Sequence, residues 1–125
     1  MFLMIEDKNV GSFEFYQPLT VDYDWKPKFA ELVENVCLWA EARNITVEGG
    51  ATSYTQIPKL IEEVYEFRDA ETEEEAKLEF GDILVVCIQI ARLRGLDMVE
   101  CLELAYEKIK DRKGTMIDGR FVKET

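Results

Sequence analysis

The stretch KLIEEVYEFRDAETEEEAKLEFGDILVVCIQIARLRG, residues 59–95, reads as two helical patterns joined by a short acidic turn. In its first part Leu60, Ile61, Val64 and Phe67 recur at the spacing of one helix face. In its second part Thr72 stands where an N-cap is needed. Glu75, three residues on, completes a capping-box pattern. Gly95 supplies the C-terminal stop. Between these caps, Ile83–Ile90 is rich in residues whose local propensity favours strand. The unbroken length of the element and its caps at both ends outweigh that preference, so a helix is predicted up to Arg94. It is apolar on nearly every side beyond Asp82, which marks it as the central helix of a bundle.

From Glu62 to Asp82 the chain holds ten acidic residues and only two basic ones, Arg68 and Lys77. Glu71, Glu73, Glu74 and Glu75 flank the turn, and acids at a helix N-terminus are favoured by the macrodipole. They read as a solvated face. Glu79 and Asp82 differ. Glu79 shares a stripe with Ile83, Val86, Ile90 and Leu93, and Asp82 lies at the edge of that stripe. Unpaired charge buried there costs on the order of several kcal/mol. Glu63 and Glu66, also three apart, project from one side of the preceding helix, with Glu63 bordering its apolar stripe. The short connection predicts antiparallel packing, so ExxE faces ExxD. Four carboxylates meeting in one place call for hard divalent cations with oxygen ligands, and magnesium is the usual choice at phosphate-processing sites. A di-iron bundle would use Glu-x-x-His pairs, and this chain has no His.

Upstream, a helix is predicted to start between Ser53 and Gln56, which have capping-box spacing. Pro58 argues for a start near Thr55, since proline is tolerated in the first turn. An earlier helix is predicted from Pro27, as its first residue, to Arg43–Asn44, with Phe29, Leu32, Val33, Val36 and Ala40 on one face. Gly49-Gly50 breaks the loop that follows. Downstream, Asp97 and Glu100 start a fourth helix that Gly114 is predicted to end. Asp118-Gly119 then predicts a hairpin with a type I′ turn between Met116-Ile117 and Arg120-Phe121-Val122. In residues 1–26 the loose alternation of Ser12–Tyr16 allows a short strand.

A net charge of −11 argues against binding a nucleic-acid duplex, because clustered Lys and Arg are missing. An acidic protein acting on an anionic substrate needs metal cations as intermediaries. The absence of His excludes His-based acid–base catalysis, Ser-His-Asp triads and His-ligated zinc. Cys37, Cys87 and Cys101 form no CxxC pair and are expected as buried free thiols in a reducing, cytoplasmic compartment. Met1–Lys8 is too short an apolar run for a signal peptide, and Ile83–Ala91 is far short of a membrane span, so no membrane association is expected.

Lys59-Leu60-Ile61-Glu62-Glu63-Val64-Tyr65-Glu66 followed by Glu79-Phe80-Gly81-Asp82-Ile83-Leu84 resembles the EExxE…ExxD signature of the MazG-like nucleotide pyrophosphohydrolases, of the all-α NTP pyrophosphatase superfamily. The likeness covers roughly residues 32–124, including Trp39-Ala40-Glu41-Ala42-Arg43 and the segment from Ala105 to Gly114. It implies an all-α, four-helix MazG-like bundle with a short C-terminal β-hairpin, formed by residues 27–125 after an extension of residues 1–26. It implies hydrolysis of a nucleoside or deoxynucleoside triphosphate at the α-phosphate, with Mg2+ as cofactor and Mn2+ as its substitute. The resemblance carries metal ligation onto Glu63, Glu66, Glu79 and Asp82, and makes Glu62 the candidate to orient or deprotonate the attacking water. Lys108 and Arg112 match basic positions that face the triphosphate, and Tyr106 stands where the family often has Asn. Lys59 is a further candidate to neutralise the outgoing pyrophosphate, and Trp39 and Tyr54 are candidates to stack on the base. The alternative function is a non-catalytic, metal-binding bundle that recognises a nucleotide or a protein. Apolar surface on the third and fourth helices predicts a homodimer or homotetramer.

Overall fold

The computed structural model describes residues 3–7, 11–16 and 24–124. Its order is β1 (Leu3–Asp7), β2 (Gly11–Tyr16), α1 (Trp25–Ala42), α2 (Ser53–Arg68), α3 (Glu73–Arg94), α4 (Met98–Ile109), β3 (Gly114–Ile117) and β4 (Arg120–Lys123). The four helices and the short C-terminal hairpin expected from the sequence are therefore present. Two compact units divide the chain: Ala30–Leu102, and Met1–Phe29 with Glu103–Thr125. No helix among the described residues is long and apolar enough to cross a membrane.

Within Ala30–Leu102, α2 packs on α3. Asp69–Thr72 turns the chain back, and Phe67 meets Phe80 with ring centroids 5.6 Å apart, as an antiparallel pair requires. Helix α3 carries most of the burial. Val86, Ile88, Gln89 and Ala91 are all buried, and at 100° per residue they spread over about 220° of the circumference, leaving the side of Cys87 open. That is the central helix the sequence predicts. Helix α1 turns Val33, Val36, Cys37 and Ala40 inward, and Ala40 is fully buried. Its C-terminal loop is tied to α3 by Arg92, whose Nη2 donates to the carbonyl of Ile45. Gln89 Oε1 accepts from the same guanidinium at 3.0 and 2.8 Å.

The ends of the elements correct several expectations. Helix α1 begins at Trp25, two residues before Pro27, which therefore sits inside the first turn where its missing N–H is still harmless. The cap of α2 is Thr52, not Ser53. Thr52 accepts from Thr55 N–H and Thr55 Oγ1 accepts from Thr52 N–H, a complete capping box. That box stabilises a start at Ser53, and Pro58 lies inside the helix without delaying it. Thr72 caps α3 as predicted, accepting from Glu75 N–H at 3.1 Å. The Glu75 carboxylate, however, reaches past the cap to the N–H of Glu71, so the box is left half formed. Gly95 ends α3 at φ 69°, a left-handed conformation that a side chain would disfavour.

Asp97 caps α4 through Val99 and Glu100. The helix stops at Ile109, not Gly114, which instead opens β3. Asp118 and Gly119 both have positive φ, 51° and 78°, so the predicted type I′ turn is formed. A Cβ on Gly114 would lie 2.7 Å from Cζ of Phe121, so this aromatic rests over its own hairpin. Strand β2 realises the strand allowed at Ser12–Tyr16 and pairs antiparallel with β1. The three cysteines are free, but Cys87 and Cys101 are exposed and Cys37 half-buried. The expectation of buried thiols fails because a thin helical unit leaves much of each helix's circumference uncovered.

Candidate metal centre and active site

Ser53, Gln56, Leu60 and Glu63 recur every three or four residues and form the inward side of α2. Glu63 is the most buried residue of the helix, at 4% exposure, while the apolar neighbours Ile61 and Val64 are exposed. The sequence places Glu63 at the border of the apolar stripe. The structure makes it the inward-facing residue: it shares its side of α2 with Leu60 and the polar Ser53 and Gln56, while Ile61 and Val64 stay exposed. Glu79 and Asp82 come from α3, one turn apart and half-buried. One carboxylate oxygen from each of Glu63, Glu79 and Asp82 lies within 4.8 Å of the others. Three of the four residues expected as ligands thus converge, from the two helices expected to supply them.

Charge in this cluster is poorly compensated by protein groups. Lys59 Nζ lies 3.1 Å from Glu63 Oε1. With every carboxyl ionised, the buried oxygens Glu63 Oε2 and Glu79 Oε2 have no donor among the described residues. Burial pushes the Glu63 carboxyl up, but the Lys59 ammonium and hydrogen bonds with Glu66 and Glu79 outweigh it and hold Glu63 below its ordinary range. Glu66 moves the other way. Its carboxyl hydrogen-bonds with Glu79 and is pushed up to about 7, helped by burial and by the charges of Glu63 and Glu79. A proton resting on Glu66 thus relieves the cluster in part. Glu66 itself stays exposed and outside the tight trio.

An all-carboxylate donor set with two buried, donorless oxygens fits a hard divalent cation, which takes oxygen ligands at about 2.0–2.1 Å if magnesium. An unpaired buried carboxylate is otherwise costly. Phe67 and Phe80 pack between the same two helices and cover part of their seam with apolar surface.

The remaining candidates are more scattered. Glu62 is exposed and shares the Lys59 ammonium with Glu63, at 3.4 Å. Trp39 is exposed on α1, and Arg43 lies over its ring, 4.8 Å from the centroid. One face of that indole is therefore already occupied. Tyr54 is exposed near the start of α2. Lys108 lies in the last turn of α4 and Arg112 in the turn that follows, where its N–H donates to Ile109 O. Both belong to the other compact unit. The sequence reading missed the Gln89–Arg92 pair, a buried amide held by a guanidinium. Its signal was a lone amide and a basic residue three apart in an otherwise apolar run. It also missed the direct engagement of Glu63 by Lys59, although a Lys four residues before a Glu is a known helical pairing.

Residues 51–117 match the family model of the MazG nucleotide pyrophosphohydrolase domain. This chain belongs to the MazG nucleotide pyrophosphohydrolase family, and it is an enzyme of that class. Among solved structures, the chain is similar to the cyanophage S-2L MazG-like pyrophosphohydrolase bound to dGDP and three catalytic Mn2+ ions per active site. The TM-score is 0.61 at 23% identity, over 77% of this chain and 94% of the other. No curated protein matches the chain significantly in sequence.

Proposed function

We propose that this enzyme hydrolyses a nucleoside or deoxynucleoside triphosphate at the α-phosphate, with Mg2+ as cofactor and Mn2+ able to replace it. Water attacks the α-phosphorus, the bond to the oxygen bridging to the β-phosphorus breaks, and the products are a nucleoside monophosphate and pyrophosphate. The observation that carries this reading is the buried Glu63 carboxylate, meeting Glu79 and Asp82 with an oxygen that, with every carboxyl ionised, has no donor among the described residues. The binding of dGDP and Mn2+ by the cyanophage protein of like fold supports it.

In this proposal Glu63, Glu66, Glu79 and Asp82 hold the metal, which supplies charge neutralisation at the phosphates and acidifies bound water. Glu62, exposed beside Glu63, orients or deprotonates the attacking water. Lys59, Lys108 and Arg112 neutralise the phosphate chain, and Trp39 stacks on the base with the ring face that Arg43 leaves free. Residues 27–125 form the catalytic domain and residues 1–26 an extension. The enzyme works in the cytoplasm as a homodimer or homotetramer. No residue of α4 is buried in the single chain, and Val99, Leu102 and Leu104 are exposed there, which supports assembly. A pyrophosphate-release assay over a panel of NTPs and dNTPs with Mg2+ tests the activity. Release from none of them sinks the reading. Light scattering that finds a monomer at micromolar concentration sinks the assembly.

A further inference from the structure

Lys59 sits at a position that the neutralisation of phosphate does not by itself explain. Its ammonium lies 3.1 Å from Glu63 Oε1 and 3.4 Å from Glu62 Oε2. The two partners differ sharply in exposure: the Glu63 side chain is 6% exposed and that of Glu62 55%. The most buried carboxylate of the cluster therefore carries the protein's own cation on one oxygen. Its other oxygen, Oε2, is buried and has no donor among the described residues.

A divalent cation held by Glu63, Glu79 and Asp82 stands close to that ammonium. A metal–oxygen bond of about 2.1 Å at Oε2, the width of the carboxylate and the ion-pair distance of 3.1 Å at Oε1 would together leave at most roughly 7 Å between the two charges. At that separation, even with the dielectric of water, Coulomb repulsion would lower cation affinity by about sevenfold or more. Lys59 is free to move away, because its side chain is 51% exposed on a flexible four-carbon stem. Glu62, on the solvent side, gives it a neighbouring partner. A phosphate chain offers it a stronger one, with several anionic oxygens.

We propose that Lys59 couples cation binding to nucleotide binding: its ammonium competes with the divalent cation for Glu63, and the nucleotide's phosphates draw it away. The cluster then takes up its cation most tightly when substrate is present. By linkage, the cation raises nucleotide affinity through Lys59 by the same factor. This inference rests on the metal site proposed above.

The test is Mn2+ binding, followed by electron paramagnetic resonance of free Mn2+, without nucleotide and with a non-hydrolysable triphosphate analogue. The proteins are the parent, Lys59→Met, Lys59→Arg, Lys77→Met and Glu79→Gln. Without nucleotide, Lys59→Met is expected to bind Mn2+ at least about sevenfold more tightly than the parent. The further gain on adding the analogue is expected to shrink by a similar factor. Lys59→Arg, which keeps the charge, should stay within about threefold of the parent. Lys77→Met controls for loss of a surface charge, since Lys77 pairs with the exposed Glu74, and should change nothing. Unchanged or weaker nucleotide-free Mn2+ binding by Lys59→Met overturns the proposal. If Glu79→Gln has meanwhile lost binding, the metal site stands and only the role of Lys59 falls. If Glu79→Gln binds Mn2+ as the parent does, the metal site falls and the coupling with it.

Discussion

Two acidic clusters lie within one turn of each other on α3, and they have nothing in common but charge. Glu73, Glu74 and Glu75 occupy the first turn. All three are exposed, Glu74 pairs with Lys77 at 3.3 Å, and the helix dipole favours them. Glu79 and Asp82 follow on the same helix, half-buried, and meet the buried Glu63 of α2. Water and a helix N-terminus satisfy the first cluster. The second has buried oxygens without donors among the described residues. Local sequence therefore sets how many acids are present, while the facing helix sets which of them are left in need of a cation.

The largest expected effect separates the two clusters by activity. Glu63→Gln, Glu79→Gln and Asp82→Asn each remove one negative charge, and so does Glu74→Gln. Loss of a ligand is expected to lower kcat/KM by at least about 100-fold, the scale on which charge-stabilising groups act. Glu74→Gln is expected to remain within about twofold of the parent. Steady-state pyrophosphate release measures both, and equal losses would reduce the site to bulk acidity.

A metal-dependent difference in stability should come next. Saturating Mn2+ is expected to raise the melting temperature of the parent, since a ligand bound only by the folded state stabilises it, by about 2.7 kcal/mol at 100 times its Kd. Glu79→Gln should lose most of that gain. In chelator it should melt at or above the parent, because it removes one of the charges crowding Glu66 and Glu63. A Glu79→Gln protein that gains as much from Mn2+ as the parent contradicts the site.

A smaller effect is expected from the turn beside the exposed cluster. Thr72→Ala removes the acceptor of Glu75 N–H and should cost about 1 kcal/mol, or a few degrees in melting temperature. Glu74→Gln should cost only a few tenths of a kcal/mol, as exposed dipole and ion-pair effects do. Chemical denaturation of both variants orders them, and a larger loss for Glu74→Gln would reverse the comparison.

The subtlest contrast is one of pH. Folding raises the Glu66 carboxyl from its ordinary value of 4.5 to about 7. Between those values the folded chain holds a proton that the unfolded chain has released. Stability in chelator is therefore expected to fall as pH rises from about 4.5 to about 7. Glu63 is shifted downward, so its contribution is lost only as pH drops below the ordinary carboxylate range, outside this window. Glu66→Gln should flatten the slope. A melting temperature that climbs through the window in the parent, with no change in Glu66→Gln, would dispose of the shared-proton account.

Most of the secondary structure is legible residue by residue. Thr72, Gly95, Asp97 and the Asp118-Gly119 pair act through contacts within a few residues of themselves, so spacing alone locates them. The cap of α2 is less legible, because Thr52, Ser53 and Thr55 offer rival hydroxyls and the choice depends on which backbone start the rest of the helix tolerates. Ile83–Ile90 would mislead a propensity argument, but its caps and length decide for a helix. The carboxylates themselves are legible as ExxE and ExxD pairs. The depth of Glu63 is not, because burial depends on which side of α2 meets α3.

The sequence by itself determined the four helices, the type I′ hairpin, the absence of histidine chemistry and the candidates Glu63, Glu66, Glu79 and Asp82. These follow from short-range hydrogen bonding, helical periodicity and composition, which act along the chain. Only the tertiary structure decided that Glu63, Glu79 and Asp82 form the tight trio while Glu66 stays at its exposed edge. Only it decided that Lys59 rests on Glu63, and that Gln89 and Arg92 hold the loop after α1. Those outcomes depend on the rotation of α2 against α3 and on the direction of each side chain at the seam, and many apolar sequences with the same periodicity leave both open.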